Sequence, residues 1–88
     1  MNYRVDLASR KVERQIRNLP PEAKAKIIEA IKSLAQDPRP HGVERIKSHY
    51  HRIRIGDYRV VYAILEKEKV IVIAKVARRG EDSYKEFR

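Results

Sequence analysis

Apolar and polar positions change period several times along this chain, and each change marks an element. Tyr3, Val5 and Leu7 alternate with Arg4 and Asp6, the period of a strand buried on one face, so residues 2–7 are predicted to form a strand. From Ser9, a residue suited to an N-cap, Val12, Ile16 and Leu19 fall at i, i+4 and i+7 and share one helical face. Pro20-Pro21 stops that helix and opens the next: the missing N–H of Pro21 is harmless in a first turn, and Glu22 complements the positive helix start. Ala23, Ile27, Ala30, Ile31 and Leu34 form the apolar stripe of this second helix, which Asp37-Pro38-Arg39-Pro40 brings to an end.

Two amphipathic helices need a sheet to cover, and the second half of the chain supplies it. Ile53 and Ile55 alternate with Arg52 and Arg54 over residues 50–55; Gly56-Asp57 marks a turn, and residues 58–65 return as a strand. Glu66-Lys67-Glu68-Lys69 is too polar for a core strand and separates this hairpin from the β-branched run Val70-Ile71-Val72-Ile73, which is predicted to be a central strand. After Val76 the chain turns cationic at Arg78-Arg79-Gly80, and residues 81–88 could form a short terminal helix carrying Tyr84 and Phe87. The expected fold class is α+β, in the order β-α-α-β-β-β. A helical hairpin packs on one face of a mainly antiparallel sheet, and a short basic-aromatic tail follows. With 88 residues, no repeat and no low-complexity segment, residues 1–88 make one domain.

Charge narrows the choice of partner. Lys and Arg number 21 against 12 Asp and Glu, a formal charge of +9 in a chain that is still 42% hydrophobic. This is a globular domain that attracts polyanions, not a basic disordered tail. No cysteine is present, which excludes disulfides and thiolate metal sites, and His41, His49 and His51 lack zinc-finger spacing. No metal and no cofactor is expected. No signal peptide or membrane-spanning stretch is visible, which makes the cytoplasm the expected compartment and a membrane partner unexpected.

Parity locates the candidate chemistry. If Ile53 and Ile55 face the helices, Arg52 and Arg54 point to the opposite face, and sequential strand pairing brings Arg59 and Arg79 to the same neighbourhood. Arginines do alternate on ordinary solvated sheet faces. Here, however, only Glu44 and Asp57 are acidic between Val43 and Leu65, and uncompensated guanidinium groups repel unless an anion sits among them. Their planar fork suits phosphate oxygens. Arg45, Lys47 and Arg78 are taken as substrate-binding residues around this cluster. His49 and His51 have the parity of Ile53 and Ile55, which favours a strand-end structural role over proton transfer. Tyr84 is either a tail anchor or a platform for a base, whereas Tyr58 and Tyr62 have the strand period of core or rim residues.

The stretch Tyr-His-Arg-Ile-Arg-Ile-Gly-Asp-Tyr-Arg-Val-Val-Tyr at residues 50–62 resembles the signature hairpin of the RelE/ParE toxin superfamily. The resemblance runs over nearly the whole chain. It implies the toxin of a type II toxin–antitoxin pair and, in the RelE branch, ribosome-dependent cleavage of mRNA in the A site. That reaction uses no metal: the ribose 2′-hydroxyl attacks the adjacent phosphate. Carried over residue by residue, Arg52 and Arg54 match the two basic positions of the first hairpin strand. Arg59 matches the arginine that stabilises the transition state, and Arg79 and Tyr84 match the tail arginine and the base-stacking tyrosine.

One departure matters, because well-studied members carry lysines at positions 52 and 54. A guanidinium with a pKa above ~12 is a poor general base, which leaves the proton acceptor to the ribosome, a neighbouring histidine or another group. The resemblance also keeps open a ParE-like, gyrase-inhibiting toxin without nuclease activity and a catalytically weak RNA- or ribosome-binding module. It implies a RelB-like antitoxin with an acidic or amphipathic segment, the ribosome and mRNA as partners, and oligomers formed only through the antitoxin.

Overall fold

A computed structural model describes residues 2–47 and 49–78 of the chain. Its elements are β1 (Arg4–Leu7), α1 (Arg10–Arg17), α2 (Pro21–Gln36), β2 (Glu44–Lys47), β3 (Tyr50–Ile55), β4 (Tyr58–Leu65) and β5 (Val70–Arg78). Ser9 caps α1 as its residue type predicts: its Oγ accepts from the Val12 backbone N–H at 3.4 Å. Pro21 occupies the first turn of α2, which buries Ile27 and Leu34.

The five strands form one sheet in the order β1-β5-β4-β3-β2. β3, β4 and β5 are consecutive antiparallel neighbours, as expected, and β1 joins the far side of β5 in parallel, which makes the sheet mixed. At the β3–β4 turn Gly56 has φ +60° while Asp57 stays outside the left-handed region. A two-residue loop with positive φ only at its first position is a type II′ turn, whose twist matches that of the paired strands. Residues 81–88, the predicted tail helix, lie outside the described residues.

β2 is the strand that the hydrophobic pattern does not announce, and it corrects the expected order to β-α-α-β-β-β-β. Three of its four residues are charged, and it lies at the sheet edge with a single ladder, to β3. Edge strands are commonly short and charged, so they lack the alternation that marks a buried one.

Helices and sheet share one core. Val12, Ile27 and Leu34 pack against Val60, Tyr62 and Ile64 of β4 and Ile71, Ile73 and Val76 of β5. Ile73 and Val76 are three residues apart, yet both face the helices. This is possible because Ile73 pairs with Tyr62 and Lys75 with Val61, leaving Ala74 as an extra residue, a β-bulge. β1 pairs only with the first half of β5, and α1 takes up the second half of that edge. There the Gln15 side-chain carbonyl accepts from the Val76 N–H at 3.1 Å. At the other end, the Tyr62 hydroxyl donates to the Pro38 carbonyl at 2.7 Å, tying the central strand to the proline segment after α2.

Candidate functional site

Residues paired directly across a ladder share a face. Ile53 opposite Val60 and Ile55 opposite Tyr58 therefore fix the helix side of the hairpin, while Arg52 opposite Val61 and Arg54 opposite Arg59 stand on the other side. The predicted convergence of Arg52, Arg54 and Arg59 is thus built by backbone register. Arg54 and Arg59 occupy directly opposed positions, where like charges repel. Arg54 is exposed and has no hydrogen-bond or ion-pair partner among the described residues, whereas Arg52 and Arg59 are half-buried. Beneath the guanidinium groups the face is apolar: Val61, Ala63 and Ala77 are buried but lie outside the helix-side core.

The face also holds an acid. Glu44 of β2 lies directly opposite Arg52, and the two side chains form an ion pair. Glu44, Arg52, Arg54 and Gly42 line an open pocket of about 280 Å³. Gly42 has φ +90° and no side chain to fill that pocket, and a Cβ built there would meet no atom within 4 Å. By sequence Glu44 is one of two scarce acids in the region; its place beside Arg52 comes from the pairing of β2 with β3, which the hydrophobic pattern does not signal.

The remaining candidates divide. Lys47 lies opposite Tyr50 and so shares the arginine face. Arg45 lies opposite His51 and Arg78 opposite Tyr58, and both pairings belong to the helix side, away from Arg52, Arg54 and Arg59. Arg79 and Tyr84 lie outside the described residues. Lys75 is an addition: the bulge at Ala74 sets it opposite Val61 on the arginine face, where it lines a second open pocket with Tyr50, Ser9 and Lys11. Strict alternation from Ile71 and Ile73 would have turned Lys75 into the core, so only an apolar residue following at Val76 hinted at the shift.

The buried histidine stands apart from this cluster. His51 is buried on the helix side, stacks on the Tyr62 ring at 5.8 Å and holds Nδ1 3.1 Å from the His49 carbonyl. Burial holds its pKa below the usual imidazole value; the hydrogen bond to the His49 carbonyl opposes that shift, and the charges of Arg39 and Arg45 reinforce it. Its burial and stacking on Tyr62 fit the structural role that its parity suggests. Among the described residues, no three carboxylate or imidazole groups cluster closely enough to hold a metal ion, and no helix is long and apolar enough to cross a membrane.

Comparison with known proteins places this geometry in a family. Residues 6–83 match the ParE toxin of the type II toxin–antitoxin system parDE. A Methanocaldococcus jannaschii protein that bears the name of a RelE1 toxin is 34% identical over 90 residues, which span 97% of this chain and 98% of that protein. The archaeal RelE–RelB complex of Pyrococcus horikoshii superposes with a TM-score of 0.78 at 31% identity, over 92% of this chain and 99% of the matched chain. The RelBE2 toxin–antitoxin complex of Mycobacterium tuberculosis gives 0.76 at 25% identity, over 90% and 100% of the two chains. A family match over most of the chain, together with a full-length relative above 30% identity, makes this protein a RelE-family toxin of the RelE/ParE superfamily of type II toxin–antitoxin systems.

Proposed function

We propose that this toxin is a ribosome-dependent endoribonuclease that cuts mRNA in the A site, without a metal ion, by attack of a ribose 2′-hydroxyl on the adjacent phosphate. The observation that carries this reading is the direct opposition of Arg54 and Arg59 beside Arg52 on the face away from the helices. Placing two guanidinium groups opposite one another costs stability, which a bound phosphate offsets by accepting from both forks. As the phosphorane forms, negative charge builds on its equatorial oxygens, and positively charged donors already aimed at that position stabilise the transition state more than the ground state. Arg52, Arg54 and Arg59 take this role; Lys47 and Lys75 extend the basic surface along the RNA backbone. In this reading Arg79 adds a further cation, and Tyr84 stacks on a base. Arg45 and Arg78, on the other side of the sheet, are left for more distant contacts.

A RelB-like antitoxin is the proposed partner, since the Pyrococcus horikoshii and Mycobacterium tuberculosis relatives were crystallised as toxin–antitoxin complexes. An acidic segment would be drawn to a +9 toxin by charge alone.

The test is purified toxin added to programmed ribosomes, with cleavage positions mapped on the mRNA. Cuts at the A-site codon are expected, and Arg59→Ala should slow them about 10²–10³-fold, the usual cost of removing one preorganised donor. Because the matched family description is that of ParE, supercoiling by DNA gyrase is assayed in parallel. Stalled supercoiling with intact mRNA would replace the nuclease reading with the gyrase one. Tight ribosome binding without either effect would leave a non-catalytic module.

A further inference from the structure

The bulge that turns Lys75 onto the arginine face also opens a second place for RNA. Lys75 lies opposite Val61, whose other ladder partner is Arg52. Arg59 is the diagonal neighbour of Lys75, a separation of about 7–8 Å for such pairs. From there the basic face runs on to the edge of β5, where Lys75, Tyr50, Lys11, Ser9 and Gln15 line an open pocket of about 350 Å³. Small ligands occupy pockets of about 300–1,000 Å³. Among the described residues no acid lines this one: Asp6 of β1 and Glu13 of α1 are ion-paired with Arg4 and Arg17. Two cations, an aromatic ring and amide and hydroxyl groups are what one unpaired nucleotide requires. The cations hold its phosphate, the ring stacks on its base, and the polar groups meet the base edge.

Gln15 makes the pocket selective. Its side-chain oxygen accepts from the Val76 N–H at 3.1 Å. A backbone N–H can only donate, so the amide cannot be turned round, and Gln15 is left with an NH2 group that has two donors and no acceptor. Among the described residues that group has no hydrogen-bond partner. A donor set against a base edge tells keto from amino: guanine O6 and uracil O4 accept, whereas N6 of adenine and N4 of cytosine carry hydrogens of their own. We infer that this pocket holds the mRNA nucleotide next to the scissile phosphate, and that Gln15 selects a keto base, guanine or uracil, over adenine or cytosine. The inference rests on the endoribonuclease reading above and names the sequence preference of that same reaction. With the scissile phosphate on Arg54 and Arg59, Lys75 and Lys11 take the flanking phosphate and Tyr50 stacks on the base. An amino base in the same place sets N–H against N–H and leaves both donors unpaired.

The experiment is single-turnover cleavage on programmed ribosomes whose A-site codons differ only in the two bases flanking the cut. At one of these positions the wild type should cut guanine and uracil codons about 2–12-fold faster than adenine and cytosine codons, the worth of one hydrogen bond as a rate ratio. This arm depends on no variant folding. Gln15→Glu keeps an oxygen for the Val76 N–H but offers a second acceptor in place of the donors. The keto preference at that position should therefore vanish or reverse, while any preference at the other position stays. Tyr50→Leu should slow cutting of all four bases alike at limiting toxin, by about 5–150-fold, the loss of one base stack. A wild type without a keto preference on either side of the cut, a preference that Q15E leaves in place, or Tyr50→Leu cutting at the wild-type rate would overturn the assignment. Loss of antitoxin binding in Q15E with the codon preference intact would give the pocket to the antitoxin instead. Each of these results leaves wild-type cleavage standing, whereas a wild-type protein that cuts no mRNA would overturn the endoribonuclease reading and this inference with it.

Discussion

Arg54→Thr should make this protein more stable while it loses function, and the register says by how much. Directly opposed residues of an antiparallel ladder have Cα atoms roughly 4.5–5.5 Å apart, and Arg54 and Arg59 are such a pair. With the guanidinium groups splayed to about 6 Å in a water-like dielectric, the repulsion is about 0.7 kcal/mol, within the range of roughly 0.2–1 kcal/mol typical of cross-strand charge pairs. Arg54 is exposed, so shortening it forfeits little packing, and threonine is at home in a strand. The net gain should be about 0.5–1 kcal/mol, which for a domain of this size raises Tm by about 2–8 °C. Urea unfolding at low salt and at high salt is the assay. The gain should nearly vanish at about 1 M salt, where the screening length falls to roughly 3 Å, and cleavage should drop in both conditions. A variant no more stable than wild type at low salt, or a gain indifferent to salt, would show that Arg54 and Arg59 do not repel one another appreciably and would remove the repulsion argument for placing a phosphate there.

Three further outcomes follow from contacts away from the arginines. Gln15→Ala leaves the Val76 N–H without its acceptor and should cost about 1–3 kcal/mol in a urea titration. Tyr62→Phe removes the donor to the Pro38 carbonyl and should cost about 1–2 kcal/mol while leaving cleavage intact; equal loss of activity and stability would instead tie the proline segment to the site. His51 has a folded-state pKa below its unfolded value of about 6.5, so the unfolded chain binds a proton first as pH falls. Its contribution is therefore complete above about pH 6.5 and lost between that pH and the depressed folded value. Urea midpoints measured across this window should flatten in His51→Gln.

Much of the architecture could be read from periodicity because it rests on one-sided burial. The Ser9 cap, the Pro21 start, the Gly56-Asp57 turn and the helix-facing Ile53 and Ile55 all express local preferences that the tertiary structure leaves alone. The opposition of Arg54 to Arg59 follows from the two-residue loop, since loop length sets hairpin register. What the local pattern does not encode depends on non-local pairing. β2 carries no apolar stripe, and its role comes from hydrogen bonding to β3, so the meeting of Glu44 with Arg52 had no local signature. The bulge at Ala74 reverses the parity of β5, bringing Lys75 to the arginine face and sending Arg78 to the helix side, which simple alternation cannot foresee.

The parallel seam between β1 and β5 has a consequence for how the molecule comes into being. Arg4 pairs with Val70 and Leu7 with Ile73, so among the described strands β1 has no ladder to join until β5 exists. At roughly 5–20 residues per second, translation keeps that strand waiting about 3–13 s. Contacts so far apart in the chain also slow the final closure. The nascent polypeptide therefore passes through an interval in which its helices and central hairpin can form but the described sheet cannot be completed, and maturation of the toxin is timed by the arrival of β5.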